Sequence, residues 1–394
     1  MSPYSLPDLL VDASGGAIDT AEKWKTQRRP ELLRLFERHV YGRSLPGLTP
    51  KIHVLERTSG ALNGQATRMQ VQLRFSGHSL ELVVYLPNHH TGPVPCFLGL
   101  NFHGNHTAFD DPEVRVSTAW VRNDGPDGVT DNRATEAGRG GDSSRWPLEM
   151  ILARGYALAT MYYGDLEPDY EKGFTQGIRS QLFSIDNPQG DDAGAISAWA
   201  WGLSRAMDFL SGLPEINSTR ICLTGHSRLG KTALWASACD PRFALVVANN
   251  SGCGGGALSR RNFGETLRIL SRVRPHWFCE NCRRNSSDID SLPVDQHMLI
   301  ALSAPRPVLL SCAADDLSAD PFGEFLAAKN ALPAWQLLGC RDLSFPETMP
   351  SPNQPPLSRV GYYLRPGPHD ITAQDWKVHL DFADRYFGVS DISH

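Results

Sequence analysis

The chain has 394 residues, of which 41% are hydrophobic and 21% charged, and a formal net charge of −5. That length and balance suit a large buried core, as one big α/β domain or two small ones, while the negative charge and the lack of basic runs or repeats argue against a nucleic-acid groove. No apolar run approaches the ~20 residues of a membrane-spanning helix, and the opening Met1-Ser-Pro-Tyr-Ser-Leu-Pro shows neither the basic nor the apolar region of a signal peptide.

Residues 1–20 read as an irregular arm. From Thr20 to Tyr41 the chain is charged and amphipathic, and Leu32, Leu33, Leu35 and Phe36 predict a helical stripe. Lys51 to Thr58, Ala66 to Phe75 and Ser79 to Leu86 alternate apolar with polar residues between Gly- and Asn-containing breaks, the pattern of an antiparallel meander. Pro95 to Phe102 is continuously apolar and predicts an interior parallel strand. It runs into Asn101-Phe-His-Gly-Asn-His106, a loop placed to supply an oxyanion N–H, with Gly104 allowing close backbone approach. His103 and His106 are expected to shape this loop by hydrogen bonding; no third ligand for a metal stands nearby. Residues 108–145 are polar and rich in Gly, Asp and Arg, and are expected to form a long insertion bordering the active site. Trp146 to Arg154 predicts a helix, Gly155 to Met161 a strand, and Tyr162 to Asp169 a loop at its carboxyl end, where open α/β sheets place ligands.

Ala193 to Gly212 predicts a strong helix whose Trp199 and Trp201 serve packing rather than sugar stacking. The short apolar run Thr219 to Leu223 leads into Thr224-Gly-His-Ser-Arg-Leu-Gly-Lys231 and then into the helix-forming Thr232 to Ala238. A serine on such a strand-to-helix turn is a nucleophile elbow, with its hydroxyl above the sheet and N–H groups aimed at a developing oxyanion. The second glycine of G-x-S-x-G is displaced, since Leu229 holds its place and Gly230 follows; the competing reading of Ser227 is a helix N-cap. Phe243 to Asn250 predicts the next strand, followed by a glycine run without the lysine and hydroxyl of a phosphate loop.

His297 to Leu302 predicts a helix and Pro305 to Cys312 a strand, beyond which lie Asp315 and Asp316. A carboxylate just past a late strand is where this architecture carries a triad acid; Asp316 is the choice, with Asp315 close behind, whereas Asp320 fits the N-cap of a helix from Phe322 to Ala331. Gly361 to Arg365 predicts the last strand, His369 stands in the loop after it, and Thr372 to Phe387 predicts the C-terminal helix. Serine, acid, histidine is the chain order of the α/β-hydrolase fold, a three-layer sandwich around a mostly parallel sheet. Residues 1–394 are expected to form one such domain. Of the eight cysteines, several lie in apolar runs as small buried hydrophobes; Cys279-Glu-Asn-Cys282 predicts a disulfide or free thiols ahead of a zinc site, for which no second pair exists.

Gly225-His-Ser-Arg-Leu-Gly-Lys231 resembles the G-C-S-R-x-G-K signature of the glucuronoyl esterases, carbohydrate esterases in which the displaced glycine is normal. The similarity to their bacterial branch extends through Asn101-Phe-His-Gly-Asn-His, Arg145-Trp-Pro, Ala198-Trp-Ala-Trp-Gly, Asn250-Ser-Gly-Cys-Gly-Gly, Arg260-Arg-Asn-Phe-Gly-Glu265, Pro275-His-Trp277-Phe, Asp295-Gln-His-Met-Leu and Pro366-Gly-Pro-His369. The resemblance implies hydrolysis, without cofactor or metal, of esters joining 4-O-methyl-glucuronic acid of glucuronoxylan to lignin alcohols, by an extracytoplasmic enzyme expected to act as a monomer away from membranes and nucleic acid. It implies a Ser227, Asp316 and His369 triad, with Arg228 at the oxyanion and Lys231, Glu265 and Trp277 as substrate-binding residues; Arg260 or Arg261, or both, pair structurally with loop carboxylates. Fungal members carry the acid in a Glu-Ser-Gly stretch where this chain has Asn250, which places the acid at Asp316 instead. Relatives often carry a sugar-stacking tryptophan where this chain has Ser318, and the alternative reading is accordingly an acetyl-carbohydrate esterase with the same triad.

Overall fold

Nine strands make one sheet in a computed structural model that describes residues 4–123, 128–183 and 188–388. They are β1 (Lys51–Gly60), β2 (Ala66–Phe75), β3 (His78–Pro87), β4 (Val94–Asn101), β5 (Ala157–Tyr162), β6 (Ile216–His226), β7 (Leu245–Asn249), β8 (Val308–Ala313) and β9 (Val360–Arg365). Their spatial order is β1-β2-β3-β5-β4-β6-β7-β8-β9. The polar-apolar alternation of β1 to β3 gives the expected antiparallel meander, joined antiparallel to β5; from β5 to β9 every pairing is parallel. The interior strands β4, β5, β7 and β8 and the edge strand β9 are buried at every residue, which is why they read as continuous apolar runs.

Successive side chains of these strands enter two different cores. Leu98, Leu223, Val246, Leu310 and Leu364 pack with α1 (Ala195–Leu210), α2 (Arg228–Cys239) and α3 (Pro321–Leu337). Phe97, Cys222, Val247, Leu309 and Tyr363 pack with α4 (Ala373–Phe387) and the short helix Leu148–Ala153. This is the three-layer α/β-hydrolase arrangement, and it follows from the period-two geometry of strands covered on both faces. Trp199 and Trp201 are buried in α1, as packing residues should be.

One expectation needs correction. The helical segment 21–41 buries Trp24, Arg28, Leu32, Phe36 and Val40, while Leu33 and Leu35 are only half-buried. A strict spacing of four drifts around an α-helix of 3.6 residues per turn, and the wider π turns at Trp24–Arg28 and Glu37–Tyr41 bring it back onto one face. The described part of 108–145 has regular structure of its own. It contains a hairpin of Val129–Thr130 and Arg133–Ala134 and 3₁₀ turns at Glu136–Gly138 and Ser143–Arg145. Asp111 fastens it to the meander by accepting from Arg68 Nη1 at 2.6 Å and from the Tyr85 hydroxyl at 2.7 Å. Among the described residues, no helix is long and apolar enough to cross a membrane.

Candidate active site

The turn between β6 and α2 holds Ser227 at φ +57° and ψ −128°, a backbone region that a non-glycine residue enters only under constraint. Its side chain makes no capping bond to α2, so the N-cap reading fails and the hydroxyl is left for the cleft. Gly225 is obligatory, because a Cβ there would lie 2.1 Å from the Leu229 carbonyl oxygen. The second close approach falls at Gly230, where a Cβ would meet the Gly225 and Asn249 carbonyls at 3.0 and 3.1 Å. Leu229 can therefore point into the core, and the displaced glycine is the geometry of this turn.

The acid and the base meet across the loops after β8 and β9. His369 Nδ1 lies 2.5 Å from Asp316 Oδ2. Asp316 is buried whereas Asp315 is exposed, which decides between the two. Arg365 fixes the histidine loop by donating to the carbonyls of Pro366, Pro368 and Asp370 at 2.8 to 2.9 Å. With Nδ1 engaged by the carboxylate, Nε2 of the half-exposed His369 is the free nitrogen. Ser227, Arg228 and His369 line one cavity of about 220 Å³, together with Phe102, His103 and Arg122. His226, whose ring centroid lies 4.5 Å from that of His369, is held neutral chiefly by burial and bonds Asn249 Oδ1 through Nδ1 at 2.6 Å.

Arg228, the first residue of α2, pairs with Asp169 through Nη1 and approaches the Tyr163 hydroxyl at 3.4 Å. Its guanidinium sits 5.4 Å from the ring centroids of both Phe102 and Trp277. A cation held between two aromatic faces beside a serine hydroxyl is equipped to stabilise an oxyanion. In the loop after β4, His103 Nδ1 contacts Asp142 Oδ2 at 2.6 Å, the expected shaping bond. His106 departs from expectation: both ring nitrogens are buried with no partner at hydrogen-bonding geometry among the described residues, and burial pushes its pKa down to about 4. It acts by packing, against Gly104, where a Cβ would lie 2.8 Å from Nδ1.

The three residues expected to bind substrate do not line this cavity. Lys231 is buried, and its ammonium donates to the Ser251 and Cys253 carbonyls at 2.7 Å, with Glu265 Oε2 at 3.5 Å. The glycine-rich loop after β7 takes two of its three donors, and the third faces Glu265. Trp277 is buried, its indole donates to Asp169 Oδ1 at 2.7 Å, and its ring lies against Arg228. Glu265 alone keeps about a third of its side chain exposed; its N–H donates to the Ser318 carbonyl at 2.8 Å. Arg260 and Arg261 are both structural, paired with Asp295 and Asp320 respectively, and Asp320 caps α3 by accepting from Gly323 N at 3.0 Å.

Sequence reading passed over Asp169 and His276 as functional residues. Asp169 lies in the loop after β5 that was marked for ligands, but a buried carboxylate has no signature in a single sequence. All eight cysteines are free thiols, Cys279 and Cys282 included. Among the described residues no group of three or more His, Cys, Asp and Glu is arranged to hold a metal ion.

Residues 150–339 match the family model described as "Glucuronyl esterase, fungi". The chain is 45% identical over 389 residues to carbohydrate esterase MZ0003 of an unknown prokaryotic organism, covering 97% of this chain and 90% of that protein. It is 34% identical over 350 residues to a 4-O-methyl-glucuronoyl methylesterase of Schizophyllum commune, 86% of this chain and 75% of that protein. The solved glucuronoyl esterase from Solibacter usitatus is 42% identical, with a TM-score of 0.90 over 97% of this chain and 98% of that one.

Proposed function

Because the chain belongs to the glucuronoyl esterase family and is a carboxylic-ester hydrolase, we propose that it cleaves 4-O-methyl-glucuronoyl esters of glucuronoxylan and lignin alcohols through an acyl-enzyme on Ser227. His369 Nε2 removes the Ser227 proton as Oγ attacks the acyl carbon, and Asp316 holds the imidazole and stabilises its cation. The Arg228 guanidinium donates to the oxyanion of the tetrahedral intermediate. His369 then protonates the leaving alcohol, a water molecule attacks the acyl-enzyme with the same base, and the uronic acid departs with Ser227 restored.

The observation that carries this reading is the 2.5 Å contact between Asp316 and His369 beside a serine held at positive φ in the same cavity. Room for a polymeric substrate also supports it: a second cavity of about 470 Å³, with Trp120 and Tyr170 in its wall, shares Arg122 with the first. The exposed Ser318, where relatives carry an aromatic platform, favours an acetyl-carbohydrate esterase as the second reading. The test of the mechanism is Ser227→Ala, which is expected to abolish turnover of benzyl glucuronate with an unchanged melting temperature; residual turnover near wild type would overturn it.

A further inference from the structure

Asp169 is fully buried, and each of its oxygens is engaged by more than one group. Oδ1 lies 2.7 Å from both His276 Nε2 and Trp277 Nε1; Oδ2 accepts from the Tyr163 hydroxyl at 3.2 Å and from Arg228 Nη1, with Arg122 Nη1 at 3.8 Å. Burial alone would raise the pKa of such a carboxyl, but the His276 and Trp277 hydrogen bonds and the charges of Arg228 and His276 hold it well below the usual carboxylate range. Asp169 is thus a permanent anion at the edge of the Arg228 guanidinium. On the same guanidinium, Nε is buried with no partner among the described residues. The rest of the side chain, 22% exposed, lines the cavity that Arg228 shares with Ser227.

We infer that Asp169 is the positioning residue that sets Arg228 for the reaction: it ties down one corner of the guanidinium so that the edge lining the cavity stays directed to the acyl oxygen, and it offsets the cation's charge in the resting site. This rests on the role proposed for Arg228. The offset charge matters because the reaction converts a neutral ester into a uronate anion whose carboxylate lies where the oxyanion formed. A bare guanidinium would grip that product by a charge-assisted bond. Paired to Asp169, Arg228 favours the transient oxyanion without retaining the carboxylate that follows.

The test is a double-mutant cycle of Asp169→Asn and Arg228→Ala, read as kcat, KM and inhibition by free glucuronate, with melting temperature as the check on folding. Asp169→Asn is expected to lower kcat on the order of 10²-fold, the loss typical of one oxyanion donor, with KM for benzyl glucuronate little changed and glucuronate inhibition tightened. In the Arg228→Ala background the same substitution should cost almost nothing, since partners in one interaction are not additive. Wild-type kcat in Asp169→Asn, or an equal loss in both backgrounds, would overturn the inference and leave a merely structural carboxylate. Full activity in Arg228→Ala would instead sink the oxyanion role itself. Should Asp169→Asn fail to fold, Trp277→Phe removes a single donor from Asp169; a kcat loss that vanishes with Arg228→Ala is expected, and one that persists contradicts the proposal.

Discussion

Replacing Asp316 with asparagine keeps the shape of the site and removes its charge. The amide oxygen still accepts from the Ala319 N–H, so the turn that Asp316 caps at 3.3 Å survives. The contact with His369 does not survive in kind. A carboxylate 2.5 Å from Nδ1, on a side chain only 4% exposed, is poorly screened; for charges about 4 Å apart at an effective dielectric of 20 the attraction is about 4 kcal/mol. Losing it raises the barrier whenever the imidazolium forms, and the amide also permits the wrong tautomer, a change that costs about 10⁴-fold in kcat in serine hydrolases, equivalent to about 5 kcal/mol. The assay is kcat for benzyl glucuronate, with melting temperature as control and Asp315→Asn as the comparison. The exposed Asp315 should be dispensable, and a glutamate at the buried Asn250, whose side chain has no hydrogen-bond partner among the described residues, should restore part of the activity of Asp316→Asn. Near-normal kcat in Asp316→Asn, or a large loss in Asp315→Asn, would refute the assignment.

Lys231→Met is expected to act on folding: it strips the donor from two carbonyls held at 2.7 Å, and should lower stability by about 3 kcal/mol in denaturant titration; an unchanged stability with raised KM would restore Lys231 as a substrate ligand. Glu324, buried in α3, accepts from Ser251 Oγ at 2.8 Å, and burial pushes its pKa up to about 6 from 4.5. The folded state therefore binds the extra proton between those values, so this group's stabilisation is full below pH 4.5 and falls as pH rises through 6, by about 2 kcal/mol. Glu324→Gln should flatten that part of the stability profile, and an unaltered slope would exclude the assignment.

What was legible in the sequence depended on whether a residue's role is fixed by its neighbours along the chain. Ser227 could be found because an elbow is local: strand, tight turn and helix lie within about twenty residues. Asp316 and His369 could be found because strand ends are readable and this fold carries its acid and base just past them. The burial that separates Asp316 from Asp315 is tertiary, and the choice between them rested on a count of one residue. The partners of Lys231 and Trp277 were hidden for the same reason. A lysine at a helix start gives no sign that a glycine loop 20 residues on will take its donors, and a tryptophan gives none that an aspartate over a hundred residues away will accept its N–H. The shift of the buried face of segment 21–41 was likewise hidden, since a spacing of four marks one face only when π turns are present, and a regular α-helix carries it off that face.

The central claim is that Ser227, with His369, Asp316 and Arg228, cleaves a glucuronoyl ester. The measurement that tests it most directly is kcat/KM for benzyl glucuronate against a simple acetate ester, on the wild type beside Ser227→Ala. A strong preference for the glucuronate that disappears with the serine is the predicted result. Preference for acetate would keep the triad and discard the glucuronoyl substrate, and turnover that survives Ser227→Ala would contradict the account at its root.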